Sequence, residues 1–410
     1  MYQQYKLRET ISFVKLYKIM KNKKTSALSA LTMSAMAIPG MGTQQAKADV
    51  APENSVFSYR YTNYQESQAP KERVFSGSID RYNIQVHQFS LLAPIKEKYS
   101  IKTDLVLESL SGASPIRNEK LDDGSTRMYM SGATIDEQRV DLLVAPKRHF
   151  ESGNLGGMLS ISQENDYEST ALGVDGALEI FNKHTTLNGS LSWSRDELSP
   201  TGGGPADGKT KDSFSFYEGL SQVIDKYRVF QAGFGYTRHS GYLTDPYKGF
   251  DLRPDERNQY TLTTAYRHYL NTPMLGAGSW HLDYRYYEDS WKIRSHTIST
   301  AWWKDTTIFG QSFTLAPSLR YYMQNSAYFY TLDSNPTDEF YSSDARLSSF
   351  GALTFGFDAK WKTEKATYTF GFAQYLSSED WNLLEGESDE TPGLVDFTTI
   401  SLGVDYPFSF

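Results

Sequence analysis

Apolar and polar residues alternate along most of this chain, and the alternation is clearest at its C-terminus. Ile400, Leu402, Val404, Tyr406, Phe408 and Phe410 are apolar at every second position, with Thr399, Ser401, Gly403, Asp405 and Ser409 between them. Period two marks a β-strand with one apolar face and one wet face. Pro407 is unusual there, because it removes a backbone donor from the ladder. The same pattern recurs upstream. Ile101, Leu105 and Leu107 alternate with Lys102, Asp104 and Glu108, and Val140, Leu142 and Val144 with Arg139 and Asp141. Leu172, Val174, Leu178 and Ile180 alternate with Asp175 and Glu179, and Trp280, Leu282 and Tyr284 with Asp283 and Arg285.

About sixteen such segments are countable. Their spans are 55–63, 79–92, 98–110, 133–145, 153–164, 170–181, 186–195, 213–224, 227–239, 257–270, 278–289, 292–303, 312–323, 348–362, 366–378 and 395–410. The charged face is too frequent and too mixed in sign to be only the skin of a compact soluble core. An all-β, transmembrane, antiparallel up-and-down β-barrel, apolar toward lipid and polar toward a lumen, fits the pattern better. An even strand count returns both ends to the periplasm.

Connection lengths give a second reading of the same count. The long connections 64–78, 111–132, 196–212, 240–256, 324–347 and 379–394 fall on alternate positions, with short turns such as 182–185 and 362–365 between them. Long loops outside and short periplasmic turns are the usual asymmetry of such barrels. The long connections carry a large excess of acid, whereas the short turns are basic. Trp193, Trp280, Trp291, Trp302, Trp303 and Trp361 lie near predicted strand ends, where amphipathic rings sit at the membrane interface. Trp381 falls inside a loop.

Composition narrows the class further. The 410 residues include 29 Tyr, 23 Phe and 7 Trp but no Cys. Disulfides, thiolate zinc sites, iron–sulfur clusters and thiol catalysis are thereby excluded. Mean hydropathy is −0.52, which excludes repeated helical spans of ~20 apolar residues. The formal charge of −8 argues against nucleic acid as a partner.

Residues 20–48 read as a secretory signal: Lys21, Lys23 and Lys24, an apolar stretch over 27–38, then Ala46-Lys47-Ala48 before Asp49. Residues 1–19 precede it awkwardly, so Met20 is a second candidate start. The expected division is a signal peptide over 1–48 and one barrel domain over 49–410. Segment 1–48 holds eight Lys/Arg and one Glu, which leaves 33 basic and 48 acidic residues in the mature chain, a net of −15.

Several strings carry a family resemblance. They are RYTNYQESQAPKERVFSGSIDRY (60–82), ESLSGASP (108–115), MSGATIDEQR (130–139), ENDYESTALGVDG (164–176), GYLTDPYKGF (241–250), YRYYEDSW (284–291) and RYYMQNSAYFY (320–330). Together they resemble the family catalogued as domain of unknown function 3570. The resemblance covers the mature chain and implies a Gram-negative outer-membrane barrel without an established activity. It also implies a genetic setting near periplasmic flavin-transfer and thioredoxin-like proteins. The chain itself has no haem, flavin or metal motif.

Four constellations invite chemistry and have blander readings. His239-Ser240 invites comparison with barrel phospholipases, but neighbours on a strand point to opposite faces and cannot readily pair. Asp333, Asn335, Thr337, Glu339 and Asp344 resemble a calcium loop, yet Asp338 replaces its turn glycine and Asp344 its final Glu. The run Glu385, Glu387, Asp389 and Glu390 reads as a hydrated loop or a loose divalent-cation binder. Gly202-Gly203-Gly204 lacks the strand and helix that a phosphate loop needs.

Parity gives a lumen set. Arg60, Lys102, Arg139, Arg267, Arg285, Arg294, Arg320 and Lys360 stand against Asp104, Glu108, Asp141, Asp175, Glu179, Asp283, Asp358 and Asp405. A balanced set favours ion-pair networks across the wall over a one-signed selectivity ring. Tyr406, Phe408 and Phe410 resemble the terminal insertion signal read by the barrel-assembly machinery. The expectation is a passive, porin-like channel for small polar solutes, set in outer-membrane lipid and lipopolysaccharide, with no catalytic, metal or cofactor residues. An acidic mouth adds an expected cation preference. The alternatives are a docking barrel for periplasmic redox proteins and an outer-membrane hydrolase.

Overall fold

The computed structural model describes residues 51–132, 135–200, 203–333, 335–384 and 391–409. The expected signal segment, the acidic run 385–390 and Phe410 lie outside the described residues. Sixteen antiparallel strands close into one barrel. In chain order they are β1 Ser55–Glu66, β2 Asn83–Ile95, β3 Tyr99–Gly112, β4 Ile135–Phe150, β5 Gly153–Gln163 and β6 Tyr167–Ile180. Next come β7 Thr185–Leu198, β8 Lys209–Asp225, β9 Arg228–Gly241, β10 Glu256–Thr272 and β11 Gly276–Asp289. The last are β12 Arg294–Ile308, β13 Gln311–Gln324, β14 Phe350–Lys362, β15 Thr367–Ser378 and β16 Phe397–Phe408. Each overlaps one of the segments read from alternation, and β16 pairs with β1 to seal the wall.

Alternation decides which way the wall faces. Leu172, Val174, Leu178, Phe234, Phe355 and Leu402 share one face, and Leu402 leaves 53% of its surface bare. A bare apolar band on a closed sheet is a lipid-facing surface. Strands run from 11 residues in β5 to 17 in β8 and β10. Roughly 9–11 tilted residues cross a bilayer, so the upper ends project above it. Pro407 stays inside β16 because β15 has already ended: the last pair between them is Thr367 with Asp405. Its missing donor therefore falls where the ladder stops on that side.

The two rims differ. At one rim the turns are tight, and Phe309-Gly310 turns with φ of +50° and +75°, the left-handed pair a two-residue hairpin needs. Outer connections are long and structured. Val74–Ser76, Pro115–Lys120 and Thr126–Met130 form a three-stranded sheet above β1–β4. Asp251–Leu252 pairs with Tyr341–Ser342. Gly112 (φ +120°) lets this sheet sit close, since a Cβ there would meet the Arg81 carbonyl at 2.4 Å.

Candidate functional site: the lumen and its lid

Pairing fixes the inner face strand by strand. Arg60 lies opposite Gly403 and Gln88, Ser90 opposite Asp104, Glu108 opposite Arg139, and Gly156 opposite Asp175. Around the far wall, Arg267 lies opposite His281, Ala265 opposite Asp283, Ser299 opposite Arg320, and Ala316 opposite Asp358. Parity along each strand then puts Lys102, Asp141, Glu179, Arg285, Lys360 and Asp405 on the same inner side.

Arg294 is the correction. It pairs with Glu288, on the face that carries Leu282 and Ile298, so it points away from the lumen. Trp291 and Ile293 are the physical reason. Both are 3% exposed and pack inward with Phe329 and Leu347, whereas an alternating reading takes them as lipid-facing.

Several inner charges meet as pairs. Lys102 reaches Asp104 at 2.7 Å, Lys147 reaches Asp175 at 2.9 Å, and Arg267 reaches Asp283 at 2.5 Å. Lys183 holds Glu179 at 3.2 Å from the turn below. Sequence reasoning missed Asp196–Lys211 at 2.8 Å and Arg257–Asp289 at 2.6 Å, which bind adjacent strands near the outer rim. Cross-strand partners can be found only after register is known.

The two halves of the inner wall are built from different side chains. On β5–β9 the inward positions include Ser160, Ser162, Ala171, Gly173, Ser190, Ser192, Ser215 and Gly233. On β10–β14 they include Arg267, Arg285, Tyr287, Trp303, Arg320 and Tyr322. In a closed wall of sixteen strands, β13 stands across from β5. Carboxylates on β3, β4 and β6 thus stand across the barrel from a wall rich in guanidinium.

His239 does not pair with Ser240, which lies on the other face. Its Nδ1 meets Ser213 Oγ at 2.8 Å and its Nε2 meets Gln259 at 3.3 Å. The chain Ser213–His239–Gln259 links β8, β9 and β10 across the inner wall, with the Gln259 amide on the second nitrogen of the imidazole.

Above the lumen the outer loops knit into a lid. Loop 240–256 folds into it: Asp245 and Arg253 meet Arg346 and Asp344 from loop 325–349, and Asp251 pairs with Arg253 within its own loop. Arg253 Nη2 donates to Asp344 at 2.9 Å, Arg346 Nη2 to Asp245 at 3.0 Å, and Arg346 also pairs with Asp344. Burial alone would raise Asp344, but Arg346, Lys248 and Arg253 outweigh it and hold the carboxyl well below the usual range. Asp245 is lowered in the same way, burial being overcome by Lys248, Arg346 and Arg253. Asp344, a residue of the calcium-like string, is therefore already engaged by cations.

Longer links complete the lid. Arg81 donates to the carbonyls of Leu394 and Gly393 and pairs with Glu66 at 3.2 Å. Asn118 Nδ2 donates to the Ser343 carbonyl, Lys248 Nζ to that of Pro115, and Tyr247 OH to Asp166. Tyr64, Ile84, Leu110 and Phe397, all at inner-face positions, pack on Tyr82 of the first loop. The lid thus rests on the barrel's inner rim. Beneath it Glu108, Glu137 and Glu164 are buried with carboxylate oxygens that accept no hydrogen bond, and Arg139 pairs with Glu108 and Glu164. Burial, reinforced by Asp166 and Glu108 against Arg139, pushes Glu164 up to about 8.

Among solved structures the chain resembles a bacterial polysaccharide outer membrane secretin at TM-score 0.49 and 9% identity, over 88% of this chain and 100% of that one. It also resembles CdiB from Acinetobacter baumannii at 0.49 and 9%, over 87% of this chain and 60% of that one. The outer membrane protein OpdK from Pseudomonas aeruginosa matches at 0.39 and 10%, over 87% of this chain and 100% of its own. No curated protein matches the chain. The family model described as a protein of unknown function, DUF3570, matches residues 28–218 and 205–395. The chain, a closed sixteen-strand barrel with a bare apolar belt, belongs to that family.

Proposed function

We propose that this barrel sits in the bacterial outer membrane as a passive channel for small polar solutes, with its outer mouth gated by the lid. One observation carries the reading: small residues such as Ser160, Gly173, Ser192, Ser215 and Gly233 recur at inner positions of β5–β9, so side chains from that side leave part of the interior unfilled. A sixteen-strand wall encloses an aqueous space unless something occupies it. The exported chain would be inserted by the barrel-assembly machinery through its last strand, with Tyr406 and Phe408 on the lipid face. The refolded protein in planar lipid bilayers should give discrete conductance steps. No step at any voltage would overturn the channel reading.

A second reading is favoured by the periplasmic rim. Phe309 is 100% exposed, and Met274 and Phe181 are also bare at turn tips, which suits lipid headgroups or a docked periplasmic partner. Co-purification of a redox protein, lost on Phe309→Asp, would support docking. Partitioning changes without partner loss would leave these residues as membrane anchors.

A further inference from the structure

The arginines of the inner wall divide into two kinds. Arg139, Arg257 and Arg267 each meet a carboxylate. Arg285 and Arg320 have no carboxylate partner among the described residues. Each guanidinium instead lies beside the ring of the tyrosine two residues on, Tyr287 at 5.8 Å and Tyr322 at 5.6 Å. Tyr375 and Tyr322 lie beside Arg320, and Arg285 adds a like charge. Arg285 is exposed and Arg320 half-buried, and the half-buried cation lacks the counter-charge that burial ordinarily demands.

Register shows how they converge. Arg285 lies opposite Thr297, and Arg320 lies opposite Ser299, so both flank β12 at inner positions two residues apart. Two strand spacings and two residues of rise put their Cα atoms about 12 Å apart, a gap that two extended arginine side chains can close. The floor between them is Thr297 and Ser299, both short and hydroxylated. Tyr287 and Tyr322 close the side toward the lid.

We infer that Arg285 and Arg320, over the Thr297–Ser299 floor and under Tyr287 and Tyr322, form a binding site for a small organic carboxylate. A planar carboxylate accepts two parallel N–H bonds from one guanidinium. The second arginine supplies the remaining charge, and the phenol rings cover the apolar part of the solute. Arg285 is exposed to the lumen, so the site is reached from the open side. Nothing covalent is required.

This rests on the channel reading only in placing the wall on a solute's path, and its test does not need conduction. Titration calorimetry on the full chain refolded in detergent should detect succinate binding. Arg320→Gln and Arg285→Gln should each weaken it about tenfold, the loss of one charge-assisted bond pair. Arg320→Lys should fall between, because it keeps the charge and loses the fork. Arg228→Gln, at an exposed turn, should bind like the parent. Absence of succinate binding would overturn the site, as would unchanged binding in both glutamine variants. Phosphate or chloride competing on equal terms would also overturn it, by reducing the effect to general anion attraction. Binding without conductance would keep the site and sink the channel.

Discussion

The barrel wall and the lid are held together by different means. Most of the wall joins neighbours in sequence: hairpins such as Leu198–Lys209 down to Thr185–Gln222 zip residue by residue through backbone bonds. The lid joins strangers. Arg253 and Asp344 are 91 positions apart, Arg346 and Asp245 are 101, Asn118 and Ser343 are 225, and Arg81 and Gly393 are 312. A wall of this kind tolerates the loss of single side chains because its ladder does not depend on them. A lid of shared charges does not, since each buried ion there is satisfied by the others.

The sharpest way to break this contrast is Asp344→Ala. It strips one carboxylate from Arg253 and Arg346 while leaving both guanidiniums in place, a loss of about 3–5 kcal/mol if the pair is fully buried. Arg346 is 36% exposed on its side chain, which puts the expected cost toward the lower end. Limited proteolysis should cut within 242–255 and 325–349 while the barrel keeps its resistance to heat in detergent. Joint loss of both would mean that lid and wall are one cooperative unit.

Acid should work on the same knot. Asp344 and Asp245 have folded pKa values below their unfolded ones. Their stabilisation is therefore present above the ordinary carboxylate range and lost as pH falls through the lowered values. Hydrogen-exchange protection of the lid, corrected for the intrinsic rate at each pH, should fall at pH 3 relative to pH 6, with the protection of β5–β9 unchanged.

Glu164 runs the other way. Its folded pKa of about 8 is raised, so the proton it keeps favours the folded lid below the ordinary carboxylate range. That advantage is lost as pH climbs through about 8. Glu164→Gln should flatten the alkaline limb of lid stability and leave the acid limb intact. Arg228→Gln is the smallest expected effect. It breaks an exposed pair with Asp225 across the two-residue turn 226–227, and should leave the melting temperature unchanged, since water screens such a pair.

These differences also explain what could be read from the sequence. Strand number, lipid face and the long–short alternation of loops are written in period two, so each predicted segment falls on a strand. The error at Arg294 arose where period two stops being about lipid: Trp291 and Ile293 are apolar because the lid covers them. The carboxylates of the inner wall were visible by parity, but Glu137, Glu164 and Asp166 were not singled out. They gain meaning only from loops that arrive on top of them. Likewise, Arg253 and Arg346 looked like ordinary charges in polar loops. The cation preference expected from an acidic mouth meets a different interior, because Arg285 and Arg320 lie below it without carboxylates. Reversal potentials of the Arg285→Gln/Arg320→Gln double variant, shifted toward cations relative to the parent, would show which level sets selectivity.

The seam between β1 and β16 has a consequence for how the molecule comes to exist. Ser55 lies opposite Phe408 and Glu66 opposite Phe397, so the final joint unites the first and last strands of the chain. Until that joint forms, both strands present unpaired edges, the form of β-structure most open to wrong partners. Closing it demands the longest loop closure the fold contains, which delays the event rather than weakens its product. Assembly is then a race in which fourteen correctly paired interior strands confer no protection until the two outermost ones meet. Shortening either terminal strand should slow maturation far more than it lowers the melting temperature of barrels that do close.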